Sequence, residues 1–175
     1  MNDLPEKSDE RRATRARLVA VYNRLLLDQD QARPKVADLI CEAGVAHSTF
    51  YDHFDGIAAL HDESLSIVLG KLAQALTPPA DRPALGDLLD HVWENRTRAR
   101  AMLTGEAGER AEALLARLLE RQLGERADRR LHAILVSGMA MAAMADWLQG
   151  RMAASPQHLA ERLASSATAI IDHIA

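Results

Sequence analysis

Five hydroxyl or imidazole side chains fall within seven positions: His47, Ser48, Thr49, Tyr51 and His53, in the stretch AGVAHSTFYDHF at residues 43–54. Three of the chain's four Phe and Tyr rings lie there too, in a protein that is only 3% aromatic. Hydroxyl and imidazole groups at the start of a helix can bond base edges or phosphates, and a threonine methyl can touch a thymine methyl. The free N–H groups of a helix N-terminus attract phosphate as well. Arg11, Arg12, Arg15 and Arg17 cluster ahead of the first apolar run. Arg11 and Arg15 are four apart and project from the same side of a helix. These residue types suit the reading of a nucleic acid; a packed corner and a solvated charge run are the plain alternatives.

Other chemistries find less support. No Glu-x-x-His occurs, so the one-turn pair of a carboxylate-bridged metal bundle is missing. The nearest one-turn metal pair is His158 with Glu161, on an expected surface. There is no Gly-rich phosphate loop and no Ser or Cys nucleophile motif. The single cysteine, Cys41, excludes an internal disulfide framework and a Cys-rich zinc site, and reads as a small hydrophobe. Neither an enzyme nor a cofactor or metal is expected. Net charge is −4, and even the first 56 residues hold 8 Lys+Arg against 10 Asp+Glu, so local placement matters more than totals.

The elements that must hold these residues read as all-α. Hydrophobics make up 48% of the chain, mostly Ala and Leu, which favour helix. A first helix is expected from about Ser8, as its cap, to Asp28, with Leu18, Val21, Tyr22, Leu25 and Leu26 on one face. A second follows Pro34, with Val36, Leu39, Ile40 and Ala43 inward, and Gly44 ends it in a left-handed conformation. AHSTFYDHF forms a short third. A fourth starts near Ile57 and runs to about Ala75, with Leu60, Ser64, Ile67, Val68 and Leu72 on a stripe. After the break TPPADRP come helices over about 84–98, 106–123, 127–150 and 156–174, the last started by Ser155-Pro156.

The second and third helices, joined by a glycine turn carrying Val45, form a helix-turn-helix pattern. In that unit the second helix lies in the major groove with its N-terminal residues, here His47, Ser48 and Thr49, at the base edges. The text VADLICEAGVAHSTFYDHFDGIAAL resembles the TetR (tetracycline repressor) family of transcriptional regulators. Ala43-Gly44-Val45, Phe50-Tyr51, Phe54 and Leu60 carry the match. The resemblance implies that Lys35 touches a phosphate, that Tyr51 and His53 lie against the DNA backbone, and that Phe50 and Phe54 are core. Three departures stand out: Ile57 where the family often has lysine, Ile40 where it usually has alanine, and no Ser or Thr cap near Lys35. The arginines Arg11, Arg12 and Arg15 are expected to compensate for the lost phosphate contacts.

The resemblance implies two domains, a helix-turn-helix DNA-binding domain at 1–56 and a helical effector-binding and dimerisation domain at 57–175. It implies a ligand pocket in the second, for a small apolar effector, with candidates His91, Trp93, Met102, Leu103, His132, Met139, Met144 and Trp147. The helix over 127–150 is apolar all round between Ala133 and Leu148 except for Asp146, and must be covered on every side. A bundle of about five helices could bury it within one chain; pairing it and the 156–174 helix with a second copy would bury it more completely, and a homodimer is the expectation. The run is too weakly apolar for a membrane span, and the charged N-terminus is no signal peptide. The expectation is a cytoplasmic, homodimeric repressor that leaves a palindromic operator on binding its effector. The rival is a helical adaptor that has lost DNA binding.

Overall fold

The computed structural model describes the backbone of residues 4–28 and 34–173 and the side chains of residues 9–25 and 34–172. The described residues are all-α, with helices α1 (Leu4–Asp28), α2 (Val36–Ala43), α3 (His47–Tyr51), α4 (Ile57–Leu76), α5 (Arg82–Glu94), α6 (Arg96–Leu103), α7 (Gly105–Leu123), α8 (Arg129–Leu148) and α9 (Pro156–His173). They divide into two compact units, Met1–Leu65 and Ser66–Ala175.

In the first unit, Leu18, Val19, Val21, Tyr22 and Leu25 of α1 pack with Leu39, Ala43, Phe50, Phe54 and Leu60. Val36, Ile40, Val45 and Ile57 lie partly buried against that cluster. Ser8 lies inside α1 and is not its cap, since the helix begins at Leu4. Leu26, expected on the buried face, falls outside the described side chains, as does Ile174 at the other end. Gly44 ends α2 at φ 62, ψ 39, as its lack of a Cβ allows. The N–H groups of Gly44 and Val45 donate to the carbonyls of Cys41 and Ile40, which closes the turn into α3.

In the second unit α7 packs along α8 and α5 along α9, with α6 against α7 and α8. Asp81 caps α5 through a bond from the Ala84 N–H at 3.0 Å. Ser155 caps α9, accepting from the His158 N–H at 3.2 Å. The helix expected over 84–98 is two helices. Asn95 breaks it: its amide Nδ2 donates to the His91 carbonyl at 2.9 Å, and its backbone leaves helical geometry. A short polar side chain that satisfies a helix's last turn competes with continuing the helix.

Helix α4 also departs from expectation. Leu60, Ser64 and Leu72 are buried, but Ile67 and Val68 are exposed, while Leu69, Ala73, Ala75 and Leu76 are buried. The boundary between the units falls after Leu65, so one helix serves two cores and a single stripe cannot describe it. Helix α8 is long and apolar enough to cross a membrane, yet half of its most apolar window is buried in the unit.

The α6–α7 corner is tight at Gly108. A Cβ there would lie 2.7 Å from the Leu103 carbonyl oxygen and 2.9 Å from its carbon. Both are backbone atoms and cannot swing aside. Gly108→Ala is expected to cost roughly 1–3 kcal/mol through overpacking, read as a lower urea midpoint. An unchanged midpoint would mean that the corner opens freely.

Candidate nucleic-acid interface

A helix of five residues has little stability of its own, so α3 depends on what its side chains and ends are tied to. Phe50 anchors it: the ring is 0% exposed and sits 6.0 Å from the Phe54 ring. With Phe50 inward, the helical period turns the preceding and following residues outward. His47 and Ser48 are exposed, Thr49 is half-buried, and Tyr51 is 48% exposed. The Tyr51 ring meets Phe50 edge-on at 5.1 Å and His47 at 4.9 Å, so it rests on the helix surface. Lys35 is exposed at the N-cap position of α2 and makes no side-chain capping bond.

The arginines of α1 divide. Arg12 is exposed and pairs with Asp9 at 3.3 Å. Arg11 donates from Nη2 to the Asp52 carbonyl at 3.0 Å. Arg15, expected on the DNA-facing side, is turned into its own unit. Its Nε and Nη2 bond the two carboxylate oxygens of Glu63 at 3.1 and 3.0 Å. Its Nη1 donates to the His53 carbonyl at 2.6 Å, and its Cζ lies 4.3 Å over the Phe54 ring. The hydrogen bonds to Glu63 raise the Arg15 pKa above its ordinary value; partial burial opposes them and the Glu63 charge adds to them. Glu63 carries no local signal in the sequence, because it lies 48 residues from Arg15.

His53 is half-buried. Burial lowers its pKa below the ordinary 6.5, and the charges of Arg11 and Arg15 push the same way against Asp52. The fold therefore favours the neutral ring. The resulting stability is fully present above pH about 6.5 and is lost as pH falls through the lower folded-state value. A thermal melt is expected to fall from pH 7.5 to 5.5, and to fall less in His53→Gln. An equal fall in both would place the acid sensitivity elsewhere.

The eight effector candidates differ in burial. His91 is exposed, Met102 and Met139 are half-buried, and Leu103 and Met144 are buried. Trp93 stacks on Trp147 with ring centroids 4.7 Å apart, and the Trp147 Nε1–H donates to the Ala154 carbonyl at 2.9 Å. Trp147 is thus buried within its own chain. His132 is buried, and neither ring nitrogen has a hydrogen-bond partner. One cleft, of about 410 Å³, is lined by Arg96, Thr97, Arg100, Ala101, Thr104 and Leu148. Another, of about 540 Å³ between α7 and α8, is lined by Glu109, Glu112, Ala113, Ala116, Arg117, Glu120, Arg130, Ile134 and Ser137. None of the eight candidates lines either cleft. Among the described residues no group of three or more His, Cys, Asp or Glu side chains is placed to hold a metal ion.

No protein-family model and no curated protein matches the chain. Among solved structures it is similar to a TetR transcriptional regulator from Streptococcus agalactiae 2603V, at TM-score 0.55 and 19% identity. That likeness covers 92% of this chain and 97% of the other, so it spans both units rather than the helix-turn-helix alone. At this identity the likeness is one of architecture: the chain has the all-helical fold of a TetR transcriptional regulator.

Proposed function

We propose that the protein is a homodimeric, DNA-binding transcriptional regulator, not an enzyme, working in the cytoplasm as a ligand-responsive repressor. The observation that carries this reading is the division of α3. Phe50 is locked into the core while His47, Ser48, Thr49 and Tyr51 form the outer surface of a helix that follows a glycine turn. In this reading Lys35, Arg12 and the ring of His53 supply the phosphate contacts. A dimer sets two copies of α3 into successive major grooves of a pseudo-palindromic operator.

Support for the dimer comes from α8, where Leu131, Ile134 and Leu135 are exposed on a helix whose other face, with Ala133, Val136, Ala140 and Met144, is buried in its unit. They recur at helical spacing and form an apolar strip that a second copy's α8 and α9 would cover. Support for an effector comes from His132, since a buried polar group without a partner is costly. A ligand that bonds the ring and favours a dimer geometry unable to span both half-sites would release the operator.

The test is selection of duplexes from a random library by the full chain, with sedimentation run in parallel. Specific retention by a dimer, with log K falling by roughly 0.9 for each phosphate contact per unit of log salt, is the expected result. No retention at low salt would leave a helical adaptor in its place.

A further inference from the structure

We propose that Arg15 is a positioning residue for α3, setting DNA affinity by fixing the end of that helix and not by touching phosphate. This rests on the DNA-reading function given above. The last turn of a helix leaves carbonyls without partners, and cationic side chains can take them up. Just past α3 the cations come from another helix: Arg11 takes the carbonyl of Asp52, the C-cap, and Arg15 that of His53, one residue beyond. Arg15 also forms a two-pronged pair with Glu63 of α4, and its flat face covers Phe54. One guanidinium therefore joins α1, the chain just after α3, and the start of α4. Its planar fork spans acceptors in fixed directions, which a lysine ammonium cannot reproduce. Base readout requires α3 to be held to a fraction of an ångström, and a loose supporting shell loses function without unfolding.

A phosphate contact and a positioning contact predict opposite signs at Glu63. If Arg15 met phosphate, Glu63→Gln would free a cation, remove a negative charge and tighten DNA binding. If Arg15 positions α3, the same change weakens binding.

The experiment uses the full chain and a labelled duplex selected from the random library, with Glu63→Gln, Arg15→Lys and Arg15→Gln compared across salt. Each variant is expected to bind about tenfold more weakly, as for a lost charge-assisted hydrogen bond. The slope of log K against log salt stays at the wild-type value. Amide exchange over residues 47–54 becomes faster. Any of four results overturns the proposal: tighter binding by Glu63→Gln; wild-type affinity in Arg15→Lys; a slope smaller by roughly 0.9 in Arg15→Gln; or an affinity loss equal to the unfolded fraction measured by circular dichroism. Should the wild-type chain retain no duplex, the DNA reading fails by itself. Exchange over 47–54 then decides the positioning role: faster in Arg15→Gln supports it, unchanged overturns it.

Discussion

Phe50→Ala is expected to unfold the first unit, while Tyr51→Ala, one residue on, leaves it folded and weakens DNA binding. The Phe50 ring is 0% exposed and touches both Phe54 and the core built by α1, α2 and α4. Truncating a fully buried phenylalanine costs roughly 3–5 kcal/mol, through lost transfer energy and the cavity left behind. Small domains hold about 0.05–0.15 kcal/mol per residue, so a unit of this size has a total stability of the same order as that loss. Tyr51 lies across the surface of α3 and is 48% exposed, so removing it opens no cavity in the core. Its loss is expected to lower affinity for a selected duplex by roughly five- to tenfold, the weight of one hydrogen bond to a charged group. Circular dichroism melts and fluorescence anisotropy read the two effects separately. A sharp drop in melting temperature for Tyr51→Ala would return that ring to the core; a wild-type melt for Phe50→Ala would mean that α3 is not held by its ring.

Trp147→Ala carries the largest expected effect in the second unit. The ring is 1% exposed on α8, stacks on Trp93 of α5, and donates its Nε1–H to Ala154 in the segment before α9. One side chain thus ties three parts of the unit together. The truncation is expected to cost roughly 3–5 kcal/mol. Trp147→Phe keeps most of the packing but leaves the Ala154 carbonyl without its donor, at roughly 1–3 kcal/mol. Trp93 and Trp147 are the chain's only tryptophans, so intrinsic fluorescence during urea unfolding reports this place directly. If Trp147→Ala unfolds at the wild-type midpoint, the stack is ornament and the helices are held by other contacts.

The helix-turn-helix was legible in the sequence because the forces that make it are local. Gly44 permits the left-handed turn; Pro34 closes off the chain before α2. The spacing of Leu39, Ala43, Val45, Phe50 and Phe54 sorts inward from outward faces at a period of 3.6. The outward set at His47, Ser48 and Tyr51 follows once Phe50 is known to be inside, and the structure keeps that division. The all-helical class followed from composition, and the start of α9 from Ser155-Pro156; α5 starts at Arg82, two residues before the expected Ala84, because Asp81 caps it. Elsewhere local signals were insufficient. Nothing near Asn95 in sequence distinguishes a helix that continues from one whose side chain closes it at His91. A periodic stripe along α4 misplaced Ile67 and Val68, because periodicity assumes one core on one side.

By itself, then, the sequence determined helix type, the short helix α3 and its inward and outward faces, all through contacts a few residues apart. Only the tertiary structure decided what Arg15 does, that Trp93 and Trp147 form one stack, and that His132 is buried without a partner. The physical reason is the reach of the side chain. An exposed arginine and a clamped one have the same neighbours in sequence, and they differ only in whether a carboxylate 48 residues away is brought within 3.1 Å.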